Sequence, residues 1–285
     1  MNACFAQLLV HLDASPRAVQ RLEAAQRIGR AQGAAVTALY AVTPYSVDLP
    51  VFPEVGPGMT ASLRDMDDSL RQQARSAFEQ SLARHQQAGA QVAWAEIAGE
   101  PITAVFAQQA LYADLLVLGQ HDPASDPPAG VPAGFVENVL AISGKPALIL
   151  PYAAAAPEPV NDTVVIAWKP AREAAHAVSA AMPLLQRARQ VHILSWSGED
   201  EAVQGQGLDL QGYLRLRGVN ATWHRQGAEP ADSSLGELLL SRAFDLQASL
   251  LVMGCYGHSR AREWVLGGTT RTVLQCMTLP VLMAH

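Results

Sequence analysis

The sequence predicts an α/β protein of two tandem, doubly wound parallel sheets, because the 285-residue chain contains one domain pattern twice. The segment ADLLVLGQ at 113–120 corresponds to ASLLVMGC at 248–255, and each follows a stretch with helical periodicity. The segment at 138–152 corresponds in the same way to 272–285. At the front of each copy, an apolar strand, a proline turn and an amphipathic helix follow one another, at 7–22 and 163–178.

Short apolar runs, of the length typical of buried parallel strands, alternate with helical patterns in both halves. In the first half we expect strands near 5–12, 34–41, 91–97, 114–118 and 147–150, and helices over 16–32, 61–88, 102–112 and 135–143. In the second half we expect strands near 163–168, 190–195, 220–226, 249–253 and 281–284, with a shorter second helix. Such alternation requires right-handed crossovers, so each half is expected to form a five-stranded Rossmann-like sheet.

The predicted domain boundary lies in the Ala/Pro linker AAAAPEP at 153–159, which gives domains 1–152 and 160–285. The last strands, near 148–150 and 281–284, would leave apolar edges if each domain stood alone. We therefore expect the two domains to pair through these strands as a pseudo-dimer, with a further homodimer left open. The proline-rich segment 44–57 is an insertion whose role the sequence does not define.

Composition narrows the classes of function. A net charge of -6 without a basic stripe disfavours nucleic-acid and membrane-surface binding. The N-terminal segment has no basic region before its apolar run, so it does not resemble a signal peptide. No part of the sequence approaches the uncharged stretch of about 18 residues that a membrane-spanning helix needs. We therefore expect a cytoplasmic protein. The three cysteines form no C-x-x-C pair, which indicates free thiols. Cys255 is expected to be more accessible than Cys4, because it lies in a glycine-flanked loop. The histidines are scattered without metal-ligand spacing, so no metal site is predicted.

The segment MGCYGHSRAREWVLGGTTRTVL follows the fourth predicted strand of the second half, where open parallel sheets bind ligands. Gly254 and Gly257 are followed after nine residues by Gly267, and the last helix then begins. Glycines let backbone N–H groups approach phosphate oxygens, and a helix N-terminus adds free donors and its dipole. The segment therefore has the composition of an anion-binding loop.

This pattern, Gly-x-x-Gly, nine residues, Gly and then Ser or Thr, resembles the phosphate loop of ATP-binding universal stress proteins, and the repeat resembles their tandem form. The resemblance implies a stress-response regulatory protein that binds ATP or ADP, with or without Mg²⁺, in its second domain. The residues it implies there are Gly254, Gly257, His258, Ser259, Arg260, Gly267, Gly268, Thr269 and Thr270. In that family an Asp after the first strand contacts the adenine or ribose, and Asp13 has this position in the first domain.

The sequence departs from the family pattern at several positions. Lys169 replaces the strand-end Asp in the second half, and Gly268 stands where Ser or Thr is usual. In the first half Gly119 remains, but Asp122 replaces the second glycine and Asp126 adds a carboxylate where phosphate would lie. The first phosphate loop is therefore expected to be degenerate, with one nucleotide site per chain at most.

Alternatives remain for each of these assignments. The glycine loop also suits a plain strand-to-helix turn, and Asp13 beside Ser15 also suits helix capping. His192 and Ser195 have no acid partner for a hydrolase triad, so we expect no enzyme, or at most slow ATP hydrolysis. The second hypothesis is a protein-interaction or small-ligand-binding stress protein with unknown protein partners, and the third is an adenylating enzyme of related fold.

Overall fold

A computed structural model of the chain describes residues 4–45, 57–84, 91–97, 100–122, 130–153, 159–197, 207–228, 232–255 and 267–285. The chain divides into two compact units, a first unit of Phe5–Ser143 and a second unit that contains Gly144–His285. Most of the proline-rich segment 44–57 lies outside the described residues.

In the first unit, four parallel strands lie in the order β3-β2-β1-β4. The strands are β1 (Gln7–Leu12), β2 (Ala35–Tyr40), β3 (Val92–Glu96) and β4 (Leu115–Gly119). The helices are α1 (Arg17–Gln32), α2 (Pro57–Arg84), α3 (Ile102–Ala110) and α4 (Phe135–Ser143). β1 and β4 are buried along nearly their whole length, as an apolar sheet covered by helices requires.

In the second unit, six strands lie in the order β5-β10-β9-β6-β7-β8. The strands are β5 (Ala147–Leu150), β6 (Thr163–Ala167), β7 (Gln190–Ser197), β8 (Thr222–Ala228), β9 (Leu250–Gly254) and β10 (Val281–Ala284). The helices are α5 (Arg172–Leu185), α6 (Leu210–Leu216), α7 (Asp232–Asp245) and α8 (Gly268–Cys276). All but one of these neighbouring strands are parallel.

The exception is the pair of last strands. β5 pairs antiparallel with β10, with Leu148 opposite Leu282, and both strands are completely buried. The sequence-based prediction that the last strands of the two repeats pair is confirmed. β5, the fifth strand of the first repeat, thus belongs to the second compact unit. The backbone groups along its edge are paired there with those of β10.

The predicted elements agree closely with the observed ones. The fourth helix of the first half and the last strand of each half have the predicted bounds, and the other described strands begin or end within about two residues of prediction. The clearest difference is α2, which begins at Pro57 and ends at Arg84. Asp67 is therefore inside the helix and not at its start, and it accepts a hydrogen bond from the Tyr45 backbone N–H at 2.8 Å.

Helix α8 is held in place by close packing against α7. A Cβ added at Gly236 in α7 would lie 2.7 Å from Cβ of Thr272 and 3.1 Å from the Thr269 carbonyl oxygen in α8. The absence of a side chain at Gly236 therefore lets α7 and α8 approach each other, which positions the first turn of α8.

We expect Gly236→Ala to lower the free energy of unfolding by about 1 kcal/mol, because overpacking outweighs the gain in helix propensity. Gly58→Ala in α2 is the matched control, since nothing lies within 4 Å of the added Cβ there. The control is expected to keep or raise stability in urea unfolding. Equal effects of the two changes would contradict the packing role of Gly236.

Candidate functional site

The candidate site in each unit lies where the first and fourth strands of the repeat end. β1 pairs with β4 with Leu8 opposite Leu115, and β6 pairs with β9 with Val164 opposite Leu250. When the two repeats are aligned, equivalent residues are paired in the two units. Asp13 and Gly119 therefore end their strands in the first unit where Lys169 and Gly254 end theirs in the second.

In the first unit, Asp13 belongs to a buried ion pair. Its Oδ2 lies 2.9 Å from Nη2 of Arg21, and both side chains are about 5% exposed or less. The Ser15 backbone N–H donates to Oδ1 at 2.8 Å, and the Ser15 hydroxyl donates to the same atom. Burial alone would raise the pKa of Asp13, but the charge of Arg21 and these hydrogen bonds lower it to about 2.

The Ser15 contacts form the local turn that precedes α1. No side-chain hydrogen bond caps α1 at Pro16, so the capping alternative for Asp13 is wrong. A contact between Asp13 and adenine or ribose stays a prediction. In this structure the carboxylate is engaged by Arg21 and Ser15.

His11, near the end of β1, is also buried. Its Nε2 lies 2.9 Å from the Ala41 carbonyl oxygen, and its ring packs against Phe106 and Phe135. Burial in these apolar surroundings lowers the pKa of His11 to about 4. The imidazole is therefore neutral at pH 7 and donates to Ala41.

Arg21 also covers the end of β4. A Cβ added at Gly119 would lie 2.6 Å from Nη1 of Arg21, while Nε of Arg21 donates to the His11 carbonyl oxygen at 2.9 Å. The glycine that the first repeat keeps from the loop pattern is thus explained by an arginine side chain lying against it. Sequence reasoning missed Arg21, although its position on the buried face of α1 was a detectable signal.

In the second unit, helix α5 takes the corresponding place. A Cβ added at Gly254 would lie 2.6 Å from both the Ala174 nitrogen and the Glu173 carbonyl carbon. Gly254 is therefore required for close packing of α5 on β9, whatever else it contacts. The pKa of Glu173 is lowered by a hydrogen bond from the Glu173 backbone N–H and by the neighbouring Arg172. Glu173 is therefore ionised and pairs with Arg172.

The N-termini of the last helices differ in charge. Helix α8 begins directly after Gly267, and no side chain caps its N-terminus. Its first turn contains no acidic residue. Thr270 in that turn is buried. The equivalent helix of the first unit, α4, has Glu137 in its first turn. The dipole of α4 is therefore partly neutralised by a carboxylate, whereas that of α8 is not.

The remaining predicted site residues are only partly covered. Gly254, Gly267, Gly268 and Thr269 lie among the described residues, at the carboxyl end of β9 and the start of α8. Gly257, His258, Ser259 and Arg260 lie outside the described residues, as does Asp126 of the first repeat. Their roles in binding phosphate stay predictions.

The expected accessibility of Cys255 is wrong. Cys255 is 1% exposed, and its backbone N–H still donates to the Ala284 carbonyl oxygen at 2.9 Å, because it directly extends β9. Burial and the Glu173 carboxylate raise the pKa of its thiol. Cys4 and Cys276, by contrast, are exposed.

A cavity of about 380 Å³, which sequence reasoning did not identify, opens beyond the carboxyl ends of β2 and β3 in the first unit. Arg71 of α2 lies in its wall and pairs with Asp68 at 2.7 Å and Glu96 at 3.6 Å. Tyr40 also lines the cavity, and burial together with the Asp67 carboxylate raises its pKa to about 12. The cavity wall contains apolar side chains together with charged groups of both signs.

Solved structures share this architecture over nearly the whole chain. A universal stress protein from Archaeoglobus fulgidus DSM 4304 matches with a TM-score of 0.67 at 15% identity, covering 98% of this chain and 95% of that one. The chain has the universal stress protein fold in tandem form. A functionally unknown protein from Pseudomonas aeruginosa PAO1 matches with a TM-score of 0.57 at 15% identity, covering 98% and 92%.

The same fold occurs in a different setting. The cytoplasmic domain of a prokaryotic cation chloride cotransporter matches with a TM-score of 0.54 at 12% identity, covering 98% of this chain and 95% of that one. No family model and no curated protein sequence matches the chain.

The described residues contain no group of three or more His, Cys, Asp or Glu side chains that could hold a metal ion. No helix within these same ranges is long and apolar enough to cross a membrane.

We expect the stability of the chain to fall between pH 6.5 and about 4, because the unfolded state binds a proton at His11 that the folded state excludes. The stability from neutral His11 is complete above pH 6.5, and its loss is about 3 kcal/mol at pH 4. His11→Gln should flatten this dependence in urea unfolding, whereas His121→Gln, at an exposed position, should not. An unchanged slope in His11→Gln would contradict the buried neutral imidazole.

Native thiol labelling is expected to modify Cys4 and Cys276 rapidly and Cys255 only after unfolding. Intact-mass measurement against time distinguishes the three sites when Cys4→Ser and Cys276→Ser variants are compared with the wild type. Labelling of Cys255 at the rate of Cys4 would show that the end of β9 is more exposed than described.

Proposed function

We propose that this chain is a non-catalytic, stress-response regulatory protein of the universal stress protein type that binds ATP or ADP through its second unit. The support is the tandem fold combined with the glycine pattern at the end of β9 and the start of α8. The phosphates would lie at the first turn of α8, where N-terminal backbone N–H groups and the helix dipole favour an anion.

The observation that carries this proposal is the difference between the two equivalent helix N-termini. α8 begins with Gly267 and Gly268 and has no acid in its first turn, whereas α4 has Glu137. The end of β4 is also covered by Arg21 and the Asp13 carboxylate. A polyphosphate would therefore meet fewer negative charges in the second unit.

A regulatory role is proposed in preference to catalysis. Fast phosphoryl transfer needs positioned metal ligands and a residue that orients the nucleophile. The Glu173 carboxylate, beside the end of β9, is already paired with Arg172, and the Cys255 thiol has a raised pKa. Hydrolysis of bound ATP, if measured, is expected to be slow.

Gly267 offers a clean test of phosphate binding. Nothing lies within 4 Å of a Cβ added there, and its φ of -55° is open to any residue, so Gly267→Val should fold normally. We expect it to weaken ATP binding about tenfold or more in calorimetry with Mg²⁺, because the added side chain blocks access to the helix N-terminus. Gly254 is unsuitable, since any side chain there collides with α5.

Asp122→Ala in the degenerate first loop is the control and should leave binding unchanged. Purified protein should also release an adenine nucleotide on denaturation, detected by absorbance and mass spectrometry. Absence of that nucleotide, together with no calorimetric signal at millimolar ATP, would eliminate nucleotide binding.

The cavity of the first unit favours a second candidate function, binding of a small polar ligand without a nucleotide. Its volume of about 380 Å³ is within the range of ligand sites, and Arg71, Glu96 and Tyr40 supply polar groups of both signs. The Tyr45 N–H bond to Asp67 holds one wall in place. A small polar molecule that co-purifies with the wild type and is lost in Arg71→Ala, in the absence of any ATP signal, would favour this cavity over α8.

A further inference from the structure

The crevice at the end of β1 and β4 in the first unit is already filled by part of the chain. In open parallel sheets this position receives the ligand. Here the guanidinium of Arg21 occupies it, with Nη1 2.6 Å from the position of a Cβ on Gly119. The Arg21 side chain is about 5% exposed, so its charge is removed from water.

Arg21 is held by an ion pair with Asp13 and by one hydrogen bond to a backbone carbonyl. Asp13 Oδ2 lies 2.9 Å from Nη2, and the His11 carbonyl oxygen accepts from Nε at 2.9 Å. Asp13 is itself oriented by the Ser15 backbone N–H. This pairing of a carboxylate and a carbonyl oxygen suits the planar donors of a guanidinium, whereas a phosphate would face oxygen atoms.

The second repeat lacks this arrangement. Arg21 follows Leu8 by the same number of residues as Ala177 follows Val164, and Leu8 and Val164 are equivalent in strand pairing. Ala177 is completely buried, and the backbone of α5 lies directly against Gly254. The Arg21 side chain therefore lies against the strand-end glycine in the first unit, whereas the backbone of α5 lies against it in the second.

We propose that the first unit contains a guanidinium-binding crevice that the chain occupies with its own Arg21. The polarity of this crevice is the reverse of that of a phosphate site. Arg21 is thus a specificity-determining residue that closes this crevice to anionic ligands, and a cation is the ligand class that could replace it.

Chemical rescue of Arg21→Ala tests this proposal. The variant leaves Asp13 buried without its counter-charge, so Tm is expected to fall by roughly 10 °C. Methylguanidinium chloride at low millimolar concentration should raise the Tm of the variant by a few degrees and should leave the wild type and Arg17→Ala unchanged. Arg17 is an exposed arginine one turn earlier on α1 and serves as the matched control.

Sodium phosphate and Mg²⁺-ATP should give no such stabilisation of Arg21→Ala. If they stabilise it through the first unit, with Gly267→Val present to remove the proposed site on α8, the crevice is an anion site and the proposal is overturned. Equal stabilisation by methylammonium chloride would overturn its preference for guanidinium.

A double-mutant cycle covers the case in which Arg21→Ala does not fold. We expect Asp13→Asn combined with Arg21→Gln to lower Tm by clearly less than the sum of the two single changes, because the pair is lost together. Additive effects would show that Asp13 does not hold Arg21, and would overturn the proposal independently of any ligand.

Discussion

The parallel pairing of the first and fourth strands of each repeat is the constraint on which the candidate sites depend. Leu8 opposite Leu115 and Val164 opposite Leu250 set the same register in both units. This register places the residue after the first strand beside the glycine that ends the fourth. Because both ends lie at the carboxyl edge of a parallel sheet, they are the positions from which a ligand would be bound.

The glycine at this position faces a different neighbour in each unit. At Gly119 a Cβ would collide with the guanidinium of Arg21, and at Gly254 it would collide with the backbone of α5. Neither collision involves a ligand. Retention of a glycine from a phosphate-binding pattern is therefore weak evidence for phosphate binding when a helix or side chain lies directly against it.

Fold similarity alone does not choose between the functional hypotheses. A universal stress protein and the cytoplasmic domain of a cation chloride cotransporter both match nearly the whole chain at 15% identity or less. Local electrostatics discriminates more sharply. Glu137 stands at the start of α4 and no acid stands at the start of α8, and a buried carboxylate lies at the end of β1.

The sequence by itself determined the repeat and the strand and helix order, because apolar periodicity and turn residues act over short distances. It also predicted the pairing of the last strands, because each repeat would otherwise leave an apolar strand edge unpaired. It also located the glycine segment that starts α8. Only the tertiary structure determined the features that depend on long-range packing. Cys255 is buried because it extends β9, and Arg21 contacts Asp13 and lies against Gly119. A cavity also forms between α2 and the ends of β2 and β3. These contacts join residues distant in the chain, and no local pattern specifies them.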